Sequence, residues 1–242
     1  NINLGMNFLD TQLNKLYAYE VFQTDKPENA PSVASLDLQS MTWHSECNTQ
    51  LPTQRHHHGT FFDARTGRHL IFGGFGSMTY SDELVSYDIK THRWKTHRLK
   101  GSIPHRYFIS MGSKGRWIYL FGGMGNSSGS QTVGRKYFYD LYRIDTISHT
   151  IHKMWQVQWK ESENMVPVRN MIIDGEYFYT LCYSEFLSHS HLRLFKFNLN
   201  NGDYQIIGDS IPIQSDQIAT NANLYLDDRT ERMIATIQEF KD

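Results

Sequence analysis

The chain alternates short apolar runs with short polar clusters, and the clusters recur at a nearly fixed spacing. An Asp or Asn closes an apolar alternation, and a large apolar residue follows six positions later: Leu36-Asp37 with Trp43, Tyr87-Asp88 with Trp94, Ile144-Asp145 with Ile151, Phe197-Asn198 with Tyr204. Successive Asp/Asn positions are 51, 57 and 53 residues apart. A second landmark precedes each of these. Leu9-Asp10 leads into Leu16-Tyr-Ala-Tyr, Phe62-Asp63 into His69-Leu-Ile-Phe, Ser113-Lys-Gly-Arg116 into Trp117-Ile-Tyr-Leu, and Ile173-Asp174-Gly175 into Tyr177-Phe-Tyr-Thr. Leu226-Asp227 leads into Met233-Ile-Ala-Thr in the same way. Each is a turn rich in Asp, Gly or Asn between two β-prone runs, which is the signature of a hairpin.

Each unit therefore reads as four strands. The clearest copy runs from Arg55 to Trp94, with strands near 56–63, 69–74 and 83–89 and a fourth starting at Arg93-Trp94. The second strand is apolar almost throughout, as expected of a strand packed on both faces. Helical periodicity is not evident beyond a short piece. The six prolines fit a fold that tolerates proline poorly inside its sheets. The units fall at about 1–50, 51–103, 104–165 and 166–213, and two further strands occupy 214–242. With no linker between them, the chain reads as one all-β domain. Four units and half of a fifth do not close a ring, so the sequence predicts an incomplete portion of a larger assembly. The alternative is that the two ends pair to close five units.

Composition narrows the function classes. The chain has 242 residues, 39% of them hydrophobic, and a net charge of -1. Interspersed charges of both signs argue against a nucleic-acid partner, which would need a basic face. No apolar run reaches the ~20 residues that span a bilayer, so no direct membrane insertion is expected. The first residues hold no basic segment followed by an apolar one, and no signal peptide is expected in them. The start at Asn1 suggests a segment of something longer. Cys47 and Cys182 make no disulfide framework and no CxxC. Asn126-Ser127-Ser128 is a glycosylation triplet of a kind that arises often by chance.

Ile71-Phe72-Gly73-Gly74 and Leu120-Phe121-Gly122-Gly123, with Tyr87-Asp88, Trp94 and the Asp140–Asp145 run, resemble the kelch repeat. That family ends its second strand in a double glycine and carries a Tyr-Asp landmark with an aromatic six positions on. Unit one has Glu20-Val21 at the double glycine and unit four is aligned with Leu181-Cys182 there. The resemblance implies a β-propeller of four-stranded antiparallel blades around a central channel, with inter-strand loops offered to ligands or partners. It also implies that His58 serves blade packing.

Three segments carry the candidate site: Pro52-Thr-Gln-Arg55, Pro104-His-Arg106 and Pro167-Val-Arg169. Each places an arginine just before the first strand of a blade, which the family makes innermost, so the three are expected at the mouth of the channel. A guanidinium fork suits carboxylates and phosphates. The opposing reading is that each holds a loop carbonyl or a neighbouring carboxylate. Tyr107 and Asn170 follow two of them and would add stacking and amide contacts, whereas Gln217 breaks the pattern in the fifth unit. His56-His57-His58 and Ser188-His-Ser-His191 lack a third ligand at a recognisable spacing, so no metal and no cofactor are expected. The loop 125–134 is either a mobile binding loop or a plain insertion. No nucleophile elbow, P-loop or dinucleotide fingerprint is present.

The sequence thus predicts a non-catalytic recognition propeller. Its ligand would be a small anion, carbohydrate included, or a protein or peptide held at the channel face. The favoured setting is the sensor portion of a longer signalling protein, periplasmic or extracellular rather than cytoplasmic. A carbohydrate-active enzyme resembling the sialic-acid epimerases and an intracellular adaptor are the alternatives.

Overall fold

A computed structural model describes residues 6–19, 31–47, 49, 51, 55–216, 221–227 and 229–241. Glu20-Val21, Pro52 to Gln54 and Gln217 lie outside the described residues. Among the described residues there is no helix, and every ladder between named strands is antiparallel. The first blade comprises Met6–Asp10, Lys15–Tyr19, Val33–Asp37 and Thr42–Cys47. Gly59–Asp63, Arg68–Phe72, Leu84–Asp88 and Arg93–His97 form the second. Ser110–Lys114, Trp117–Phe121, Asp140–Asp145 and Ile151–Gln156 form the third. In the fourth, Val166–Pro167 and Ile172–Asp174 share the inner edge of Tyr177–Tyr183, followed by His191–Asn198 and Tyr204–Pro212. Asn221–Asp227 and Arg232–Gln238 make a two-stranded fifth sheet.

The repeating landmarks acquire a physical meaning in this frame. Leu36 pairs with Trp43, Tyr87 with Trp94, Ile144 with Ile151 and Phe197 with Tyr204, each across the turn from strand three to strand four. The Asp or Asn of each pair accepts backbone N–H bonds from the residues two and three positions on. Asp88, for example, takes Lys90 at 2.9 Å and Thr91 at 3.0 Å, and Asn198 takes Asn200 at 2.8 Å. The side chain thus satisfies donors that the turn would leave bare.

Strand two is apolar on both faces because each face belongs to a different core. Ile71 packs with Tyr17, Tyr19 and Tyr87 between blades one and two, whereas Leu70 and Phe72 pack with Ile118 and Leu120 between blades two and three. Tyr119 and Phe121 then join Phe178, Phe195 and Phe197 between blades three and four. Burial of each such side chain contributes about 1.5–3 kcal/mol. The first strands of consecutive blades lie side by side and line the centre.

The double glycines end strand two where the next blade's inner segment passes. Gly73 has φ +70°, and a Cβ there would lie 2.5 Å from the Arg106 carbonyl. Gly123 has φ +92° and would meet the Tyr107 carbonyl at the same distance. In blade four the register moves this position by one residue. Phe72 pairs with Leu84 and Leu181 with Leu194, each partner four residues before its capping Asp or Asn, so Cys182-Tyr183 and not Leu181-Cys182 replaces the glycines. Beyond the glycines, His105–Tyr107, Met124–Asn126 and Lys136–Tyr137 form a small extra sheet. The loop 125–134 is organised by Asn126, which is buried. Its amide donates to Ser130 O at 2.8 Å and Val133 O at 3.0 Å, and its oxygen accepts from Ser128 and Gly129.

Candidate functional site

The inner strands surround a cavity of about 850 Å³, to which the two-stranded fifth sheet also contributes. Asn221 and Asn223 line it from the first strand of that sheet, in which Ala222 and Leu224 are buried in the adjoining core. Arg169 lines this cavity, and of the three candidate arginines it alone does so.

Its placement comes from a bulge. Pro167 pairs with Cys182 and Ile172 with Tyr179, so five steps along the inner strand face three along its neighbour. The two surplus residues turn the chain locally, as bulges do beside binding sites. Arg169 Nη2 donates to Asn221 Oδ1 at 2.8 Å, and its Nε is buried without a partner. No carboxylate among the described residues pairs with it, and burial holds its guanidinium pKa below the ordinary value. It is the single ionised side chain among the described residues lining the cavity, because His69 is held near pKa 3 by burial and is neutral.

Its surroundings are ionisable residues kept neutral. Burial first, and then the Arg169 charge, pushes His56 to about 4 and His57 to about 3, and holds His58 well below its usual value. Burial raises the phenol pKa of Tyr19, Tyr183 and Tyr225, against the pull of the same charge on all three. His58 Nε2 meets the Tyr19 hydroxyl at 2.7 Å while its Nδ1 is unpartnered. No group of three or more His, Cys, Asp or Glu among the described residues is arranged to hold a metal ion.

The four-stranded units and the sequence now agree on an affiliation. Residues 12–220 match the family model described as the KLHDC2/KLHL20/DRC7 Kelch-repeats domain. The chain belongs to the kelch-repeat family. Among solved structures, one titled "Structure of YjhT" is similar in fold, with a TM-score of 0.60 and 14% identity over 84% of this chain. The kelch chain spans 64% of that protein's length. No curated protein matches it in sequence.

Within the kelch repeat, Arg55 and Arg106 occupy equivalent positions and do a different job from Arg169. Arg55 is fully buried; its Nη1 donates to Gly73 O and Glu83 O, and its Nη2 pairs with the Glu83 carboxylate. Arg106 is also fully buried and repeats the pattern, from Nη1 to Gly122 O at 3.1 Å and to Asp140 Oδ1 at 2.6 Å. Its Nε adds Pro104 O at 3.1 Å, and Phe138 covers the guanidinium at 4.1 Å. Each arginine therefore fastens its own blade's double-glycine carbonyl to the carboxylate that opens strand three. The expectation that all three serve one mouth gives way to two blade fasteners and one cavity cation, because the fourth blade carries its arginine in the bulge.

The two companions are also engaged. Tyr107 is buried, stacks on Tyr80 at 5.1 Å and accepts from Arg135 Nη1 at 3.2 Å, while burial raises its phenol to about 12. Asn170 lines the cavity, but its amide is bonded to Leu224: it donates to the carbonyl and accepts the N–H at 3.2 Å, mimicking a peptide. Asn221 and Asn223 were the residues sequence reasoning missed. Their signal was the alternation Asn221-Ala-Asn-Leu, which marks a strand whose apolar positions are buried and whose polar positions are not.

Proposed function

We propose that this kelch propeller is a non-catalytic recognition domain that holds a small anionic ligand in its central cavity. One observation carries the reading: the cavity contains a guanidinium, Arg169, with an unpartnered Nε and no carboxylate partner among the described residues. A charge drawn partly out of water, as the half-buried Arg169 is, is normally paired, because desolvation is costly. An uncompensated one is stabilised when an anion arrives. The cavity's size fits a small molecule, since such sites typically span ~300–1,000 Å³. The lack of catalysis is supported by the titration behaviour nearby: the histidines are pushed down and the tyrosines up, so none is poised to exchange a proton near neutrality. Kelch domains in general bind ligands or proteins, which agrees with the reading.

Thermal unfolding in the presence of a panel of anions tests it. Saturation at one hundred times Kd should add about 2.7 kcal/mol of stability, readable as a rise in Tm. Arg169→Met should abolish that rise. A panel in which no anion shifts Tm, or one whose shifts survive in Arg169→Met, would remove the proposal.

A further inference from the structure

We infer that the ligand of this cavity is an amphiphilic monocarboxylate: one carboxylate on an elongated apolar body, not a sugar acid or a phosphate ester. The inference rests on the reading of Arg169 as the anion's partner. It then follows from charge count, wall chemistry and length.

One guanidinium is the only ionised group among the described lining residues, so the cavity balances a single negative charge. A phosphate monoester would bring nearly two, and the second would be buried unpaired. Arg169 keeps its unpartnered Nε buried, and its Nη2 already uses one hydrogen on Asn221 Oδ1. With Nε out of reach, the remaining Nη hydrogens are the donors left to a planar carboxylate.

The walls away from Arg169 are apolar, and they are bare where packing would normally cover them. Leu9 is 48% exposed, Tyr225 46% and Leu226 43%, although all three sit on inner strands and line the cavity. Met6, Phe61 and Met111 continue the surface. A hydroxyl-covered sugar ring would leave most of its hydroxyls facing these side chains without partners. An alkyl or aryl-alkyl body would take their exposed area out of water.

The length is set by one strand. Asn221 holds the Arg169 end and Leu226 lies five residues further along Asn221–Asp227, or about 17 Å at a strand's rise. A carboxylate at Arg169 with a medium-length chain directed toward Leu226 fills that span.

Isothermal titration with hexanoate, dodecanoate, methyl dodecanoate, glucuronate and glucose 6-phosphate tests the inference on the intact chain, alongside Arg169→Met and Leu226→Asn. Dodecanoate should bind most tightly, with affinity rising up to about fourfold per methylene over hexanoate. Arg169→Met should weaken it at least tenfold, and the neutral ester should bind no better than that variant. Leu226→Asn should weaken dodecanoate while leaving hexanoate unchanged. Near-ultraviolet circular dichroism identical to wild type shows that both variants fold, and an ester control applied to each separates chain effects from misfolding. If glucuronate or glucose 6-phosphate binds as tightly as dodecanoate and loses binding in Arg169→Met, the anion site stands and this ligand class is overturned. Ester binding equal to the acid, or no binding by any anion, overturns both.

Discussion

Replacing Arg106 and Arg169 by methionine, one at a time, should give opposite stability outcomes although both residues are arginines placed before an inner strand, the first buried and the second half-buried. Arg106→Met removes a guanidinium that bonds Asp140, Gly122 O and Pro104 O, and leaves an Asp140 side chain that is 4% exposed without its cation. Breaking one side of a buried ion pair costs about 3–5 kcal/mol. For a chain of this size each kcal/mol moves Tm by roughly 2–4 °C, so a fall of roughly 6–20 °C is expected. Arg169→Met removes a charge that no carboxylate among the described residues balances, and leaves only the neutral Asn221 amide short of one bond, a loss of about 1 kcal/mol. Relief of the half-buried, unpaired charge offsets that loss, so stability should hold or rise. Urea denaturation followed by tryptophan fluorescence measures both, with the urea midpoint as readout and an unchanged m-value as the check that the unfolded state is comparable. The Arg106→Met/Asp140→Leu double variant should recover most of the single-variant loss, as expected when a paired charge is removed whole. If Arg169→Met loses as much as Arg106→Met, Arg169 is a third fastener and its assignment to the ligand fails.

Gly123→Ala should destabilise by more than 1–2 kcal/mol in the same denaturation assay, because its Cβ would meet the Tyr107 carbonyl at 2.5 Å and its φ is +92°. Gly115→Ala, with φ +61° and open space around it, should cost only about 1–2 kcal/mol. Acid should weaken the fold through His58 and His69. Their folded-state pKa values are depressed, that of His69 to about 3, so the stability they contribute is intact above pH 6.5 and falls as pH drops below it. Below pH 6.5 His69 alone should remove up to about 1.4 kcal/mol per pH unit and His58 should add to the loss, measured as urea midpoints between pH 7 and pH 5. Rising stability over that interval would contradict the burial argument. Asn126 should remain unglycosylated when the chain is expressed through a secretory route, because its amide nitrogen is bonded to Ser130 and Val133 carbonyls, and intact mass reads this directly.

The fold was legible because its determinants are local. The Asp or Asn caps and the Leu36–Trp43, Tyr87–Trp94, Ile144–Ile151 and Phe197–Tyr204 pairs lie within seven residues of each other, so they recur in the chain as they recur in space. Strand two showed its double-sided burial as an unbroken apolar run. The site was legible only in outline. The three Pro–Arg segments look alike as text, and their likeness hid the surplus residues between Pro167 and Ile172 that separate Arg169 from the other two.

What the amino-acid order settled by itself was the repeat, its four strands, its turns and the kelch affiliation, because each follows from contacts between near neighbours. Only the tertiary structure decided which arginine is paired and which is not. Glu83 lies 28 residues from Arg55, Asp140 lies 34 from Arg106, and Asn221 lies 52 from Arg169. Charge compensation is a matter of distance in space, and those separations are fixed by how the blades close around the cavity.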